Sequence, residues 1–149
     1  MIEPVFGNRD PKLTYQRREG VYGVIPDQSG RRLLILGAPN QALILPGGGV
    51  EDHESPEETL QRELLEEFGA KVSIDRKLGR ASEFFYSTHR QTAYEHPATF
   101  YLCSQLEVVQ APKEDFNTLM LMPIAVAAAS LKRPTHRYAV SLWLDQLKA

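Results

Sequence analysis

Apolar residues recur along this chain at two spacings, and the spacing predicts the element. Short, densely apolar runs read as strands. Gly20 to Asp27 carries Val21, Val24 and Ile25 and closes in the turn sequence DQSG. Arg31 to Gly37 returns as a second strand that APN breaks, and Ala42 to Leu45 is a short apolar run feeding Pro46. Further on, KVSI and GRASEFFYS (to Ser87) read as extended segments with THRQ as the turn that follows. Thr99 to Val109 is another strand, and Pro97 just before it predicts a strand start, an edge or a bulge. QAPKEDFN reads as a loop and TLMLM as a last strand, and two helical patterns follow Pro123 and Pro134. Between the two groups of strands the period changes. Leu60, Leu64 and Phe68 repeat at i, i+4 and i+8, which predicts a helix from Ser55 to Phe68. Ser55 suits the N-cap, Pro56 the first turn, and Glu58 completes an S-x-x-E capping box. Gly69 is placed to end the helix in a left-handed conformation. The whole pattern is an α/β (α+β) layering with sheet between helices.

The polar side of that helix changes the picture. Pro46 to Ala70 holds Gly47, Gly48 and Gly49 in a row, eight acidic residues and one arginine. Glu63, Glu66 and Glu67 lie at i, i+3 and i+4, so they share one face beside the apolar stripe. Like charges at those spacings cost about 0.2–0.5 kcal/mol per pair, and the C-terminal half of a helix dipole disfavours anions. Two readings are open: an acidic solvated face, or a site for a divalent cation that reverses the sign of both terms. Hard cations take oxygen ligands, often a few carboxylates with water and phosphate oxygens. The glycines beside the helix permit close backbone approach to a ligand, which favours the second reading.

With those residues in view, the stretch resembles the Nudix hydrolase family, defined by G-x5-E-x7-R-E-U-x-E-E-x-G-U with U apolar. Gly48, Glu54, Arg62, Glu63, Leu64, Glu66, Glu67, Gly69 and Ala70 fill every slot. Ala70 departs from the Ile, Leu or Val that the family prefers, which bears on local packing. The resemblance implies an α/β/α sandwich with a central mixed sheet. It also implies hydrolysis of a pyrophosphate bond in a nucleoside diphosphate derivative, with Mg²⁺ or Mn²⁺ as cofactor. Carried over residue by residue, it implies Glu63 and Glu67 as metal ligands, Glu66 as a third and the Gly47 carbonyl as a fourth. Glu54 and Arg62 become a salt bridge anchoring the glycine segment on the helix, and Gly48 and Gly49 line the substrate. The family often takes a further base or ligand from a later loop, and Glu114 is the candidate, with Asp115 next. Glu51 is a candidate for a second metal.

Substrate choice is less determined. Tyr86 lies near the spacing at which dinucleoside polyphosphate hydrolases of the family carry a tyrosine, and Arg90 and Arg32 are candidates for holding phosphates. His89 and His96 are candidates for touching substrate. Phe84, Phe85, Tyr86, Tyr94, Phe100 and Tyr101 offer aromatic faces for a base, although most should be core. A nucleoside triphosphate or an oxidised nucleotide is the favoured substrate. A dinucleoside polyphosphate hydrolase and a non-catalytic nucleotide sensor are the alternatives.

Composition sets the remaining bounds. The chain has 149 residues, 42% hydrophobic and 24% charged, with a formal net charge of −2. No basic field points to a nucleic acid polymer or an anionic membrane. Cys103 is the single cysteine, which excludes an internal disulfide framework and fits a reducing compartment. The most apolar stretch, Leu119 to Ala129, is too short to span a bilayer and contains Pro123. The N-terminus lacks the apolar run of a secretory signal. The expectation is one cytoplasmic domain over residues 1–149 with a small-molecule partner; oligomeric state is left open.

Overall fold

The computed structural model describes residues 3–114 and 116–148. Its elements are β1 (Val5–Phe6), β2 (Tyr15–Arg17), β3 (Gly20–Val24), β4 (Arg32–Gly37), β5 (Leu43–Ile44), β6 (Gly47–Gly49), α1 (Pro56–Phe68), β7 (Ala70–Ser87), β8 (Thr92–Val108), β9 (Thr118–Pro123), α2 (Ile124–Ser130) and α3 (Pro134–Leu147). A mixed sheet runs in the order β1-β7-β8-β3-β6, with β2 added to β8, and a second sheet runs β5-β4-β9. β8 is parallel to β3 and antiparallel to β7, so the central sheet is mixed as expected.

Burial explains the layers. Val24, Phe100, Ala139, Val140 and Trp143 form a core under α3, whereas Val21, Leu60, Leu64, Phe68 and Tyr101 form a second one under α1. Strand β4 serves both, with Leu33 and Ile35 in the first and Leu34 and Leu36 in the second. That is why it reads as a continuous apolar run rather than an alternation.

The central helix forms as its sequence predicts. Ser55 accepts from the Glu58 N–H, the Glu58 side chain answers the Ser55 N–H, and Gly69 closes the helix at φ 63°. Here the chain must turn left-handed while passing against the Gln110 carbonyl, so only glycine fits.

Four details differ from the sequence reading. The segments KVSI and GRASEFFYS are one strand, β7, whose register shifts between Lys71 and Ser73, Ile74 and Arg76, and Lys77 and Gly79. Bulges absorb the polar interruption between the two segments. Pro97 lies inside β8 rather than at its start. On that side β8 pairs with β2 up to Glu95 and with β3 from Ala98, so Pro97 falls in the gap where no N–H is called for. The glycine run is itself a strand, β6, antiparallel to β3. The two N-terminal strands, β1 and β2, are held by long-range pairing that their own residues do not announce. Among the described residues, no helix is long and apolar enough to cross a membrane.

Candidate functional site

Helix α1 and strand β6 meet at the edge of the large sheet, and the acidic residues gather there. Arg62 is the hub. Its Nε lies 2.6 Å from Glu54 Oε2 and its Nη2 donates to Glu54 Oε1 at 3.1 Å, a bidentate pair. The same Nη2 donates to the Gly49 carbonyl at 3.0 Å, which ties strand to helix. Nη1 is shared among Glu63 at 3.1 Å, Glu66 at 3.3 Å and the exposed Glu51 at 3.4 Å. The expected Glu54–Arg62 anchor is therefore present, and one guanidinium serves four carboxylates. Arg62 holds the Glu54 carboxyl down at about 2.

The remaining charge is undercompensated. Glu67 is buried, and its Oε1 accepts only the Gly47 N–H, at 3.2 Å. Burial first, and then the neighbouring Glu63, push the Glu67 carboxyl up to about 9. Glu63 is pushed up to about 7 by burial, with Glu66 and Glu114 adding to the rise and Arg62 opposing it. Gly48 has no room for a side chain, because a Cβ there would strike the Glu63 carboxyl. The triple glycine thus lets carboxylates approach the backbone closely.

Glu114 joins this group from the distant loop after β8. Its N–H donates to the Glu66 carbonyl at 3.0 Å, and Asn117 Nδ2 donates to its Oε1 at 2.8 Å. The Gly69 carbonyl accepts from both Val109 and Gln110, so the loop is strapped to the end of α1. Glu63, Glu66 and Glu114 each bring an oxygen within 4.8 Å of the others. An all-oxygen, anionic donor set of this kind fits a hard divalent cation. Glu67 stands beside that trio: its Oε1 takes the Gly47 N–H, while Glu63 lies against the neighbouring Gly48 and is the charge that most raises Glu67. Asp115 lies outside the described residues.

Across β6 and β3 the site continues on the face that α3 covers. Tyr22 pairs with Gly47 in the ladder, and its hydroxyl lies 3.1 Å from His96 Nε2. His96 Nδ1 contacts the Arg18 carbonyl at 2.6 Å. A carbonyl only accepts, so Nδ1 carries the proton and Nε2 accepts from Tyr22. Burial lowers the His96 pKa, consistent with that neutral ring. His136 is also buried; its Nδ1 accepts the Leu45 N–H at 3.1 Å, and burial holds it at about 3. The exposed Arg18 guanidinium sits beside Gly49 and makes no ion pair among the described residues. Arg133 stacks on Phe85 at 3.9 Å from the ring centroid and lies 3.7 Å from Glu83.

Other predicted contacts lie elsewhere. Tyr86 is half-exposed near the end of β7, on the opposite face from Phe85. Arg90 sits in the hairpin turn, its Nη1 3.5 Å from the Tyr94 hydroxyl, and His89 is exposed in the same turn. Arg32 pairs with Asp27 at 3.2 Å. Sequence reasoning passed over Arg18, Glu83, Arg133 and His136. Only Glu83 carried a local signal, an acid on the buried parity of Ala81 and Phe85.

Comparison with known proteins agrees with this geometry. A MutT-like protein of Streptomyces ambofaciens is 42% identical over 59 residues, which cover 40% of this chain and 38% of that protein. The mitochondrial Nudix hydrolase 18 of Arabidopsis thaliana is 36% identical over 83 residues, covering 56% of this chain and 46% of that one. The matched stretches thus span less than half the length of these curated relatives. The MutT protein structure from Methanosarcina mazei Go1 superposes with a TM-score of 0.69 at 20% identity, over 93% of this chain and 100% of that one, and so shares the fold. The NUDIX domain profile matches residues 16–143, from β2 into α3, and takes in α1, β6 and the loop that delivers Glu114. With that span and that acidic helix, the chain belongs to the NUDIX domain family.

Proposed function

We propose that this protein hydrolyses a pyrophosphate bond in a nucleoside diphosphate derivative, with a nucleoside triphosphate or an oxidised nucleotide as favoured substrate. The observation that carries the reading is the convergence of Glu63, Glu66 and Glu114 beside the buried Glu67 and the glycine strand. Those four side chains, with the Gly47 backbone, would hold Mg²⁺ or Mn²⁺. When bound, such an ion neutralises charge on the phosphate oxygens and lowers the pKa of water. The chain's own residues do the rest. Arg62 fixes α1 against β6, so that the carboxylates keep their spacing. Gly48 and Gly49 leave the backbone open to phosphate. Arg18, beside Gly49 and without an ion pair among the described residues, offers positive charge to the phosphate chain. Glu114 accepts the proton of the attacking water at its carboxylate.

A product assay tests this. Nucleoside triphosphates, oxidised nucleotides, dinucleoside polyphosphates and nucleotide sugars are incubated with the protein and Mg²⁺ or Mn²⁺, and phosphate and pyrophosphate are quantified. Turnover that stops on chelation and falls by about 10²–10⁴ in Glu114→Gln is expected. Nucleotide binding with every compound left intact would instead identify a sensor.

A further inference from the structure

Glu83 occupies a core position without a core partner. Ala81, Glu83 and Phe85 alternate onto the face of β7 that α3 covers, and Glu83 is 9% exposed. Among the described residues its Oε1 has no hydrogen-bond partner. Its Oε2 is 3.7 Å from Arg133 Nη1, too far for a hydrogen bond. A buried acceptor left in this state is destabilising. Thr135, fully buried in the first turn of α3, also leaves its Oγ1 without a partner. Next to Glu83 stands an aromatic plate. Phe85 is half-buried and packs on Tyr94 at 5.5 Å between centroids. The Phe85 ring also carries the Arg133 guanidinium, which is only partly buried. A guanidinium on a ring is a flat group with N–H donors along its rim. A nucleobase bearing an amino group is likewise flat and presents N–H donors at part of its edge.

We propose that a nucleobase takes the place of the Arg133 guanidinium against Phe85 and donates an exocyclic amino N–H to Glu83, so that the site selects nucleotides whose base carries an amino group. This rests on the nucleotide reading above and sharpens it. The placement fits the phosphate end of the site. From Gly49 on β6 the register passes through Gly20 and Ala98 to Ala81, three strand spacings or about 14 Å, and Glu83 lies two residues further along β7. Arg18 is exposed on that line, whereas Tyr22 and His96 are buried, so the nucleoside would pass Arg18 toward the carboxylates of α1. A base with a carbonyl in place of the amino group sets oxygen against oxygen at Glu83. A lost hydrogen bond to a charged group corresponds to roughly ten- to hundredfold in affinity. As a carboxylate, Glu83 offers acceptor oxygens only.

Calorimetric titration with non-hydrolysable α,β-methylene analogues tests the subsite apart from catalysis. The pairs ATP with ITP and CTP with UTP each exchange one amino group for a carbonyl. The unmodified protein should bind the amino member of each pair about tenfold or more tightly. Glu83→Gln, checked for native circular dichroism, should bring both ratios toward unity. Phe85→Leu should weaken all four by roughly tenfold and keep the ratios. Equal affinities within each pair, ratios unmoved by Glu83→Gln, or binding of none of the four would overturn the proposal. Discrimination in binding without turnover of the hydrolysable nucleotides would retire the hydrolase reading and leave the subsite standing.

Discussion

At the scale of the residue, the site is a problem of surplus negative charge handled by one arginine. Arg62 touches Glu51, Glu54, Glu63 and Glu66, and its bidentate grip on Glu54 also carries the contact to the Gly49 carbonyl. Lysine keeps the charge but not the fork. Arg62→Lys is therefore expected to lower kcat more than it raises KM, because, under the proposed hydrolysis, the misplaced carboxylates would act on the reacting phosphate rather than on the base. Steady-state kinetics on any accepted nucleotide reads the split, and an equal change in KM alone would contradict it. Gly48→Ala drives a methyl group into the Glu63 carboxyl. It should reduce turnover by at least about tenfold while the protein stays folded, since one displaced carboxylate costs positioning rather than core.

Elements carry the stability. The α1 cap is a local device, and Ser55→Ala should destabilise the protein by about 1 kcal/mol in denaturant titration. Helix α3 contributes through a long-range contact. His136 stays neutral in the fold, with burial as the main cause and His96, Arg133 and Arg137 adding to it. The unfolded chain takes up a proton at this histidine below about pH 6.5. Folding stability is therefore retained above that value and is lost as the pH falls toward about 3, where the folded ring would protonate. Between pH 7 and 5 the native protein should lose about 2 kcal/mol more than His136→Gln, whose amide oxygen can still accept the Leu45 N–H. Matching pH profiles for the two proteins would show that His136 does not bear this load.

On the whole molecule, the features legible in the sequence are those written within one turn or one strand. Ser55, Glu58 and Gly69 announce α1, and Leu60, Leu64 and Phe68 announce the face it buries, all within fifteen consecutive residues. The Glu54–Arg62 pair is legible for the same reason. Pro97 misleads because the gap that tolerates it belongs to two other strands, β2 and β3. Glu83, Arg18 and Arg133 come from separate elements, and nothing local in the chain states that they converge. The relation of Glu114 to Glu66 likewise depends on a backbone bond between segments nearly fifty residues apart. One global measurement follows from the acidic cluster. Mn²⁺ at about 100 times its Kd should stabilise the fold by about 2.7 kcal/mol, raising Tm, and Glu63→Gln should shrink that shift. A Tm indifferent to divalent ions would remove the basis for the metal centre.

The strap at the end of α1 has a consequence for how such a protein can change. Gly69 receives Val109 and Gln110, and Glu66 receives Glu114, so three residues, 111–113, set how far the last carboxylate reaches. Adding or deleting one residue there would slide Glu114 along the cluster without disturbing a single position of the helix. Divergence in this short spacer is thus a route by which descendants of one sequence alter their ion preference while every letter of the family signature stays intact.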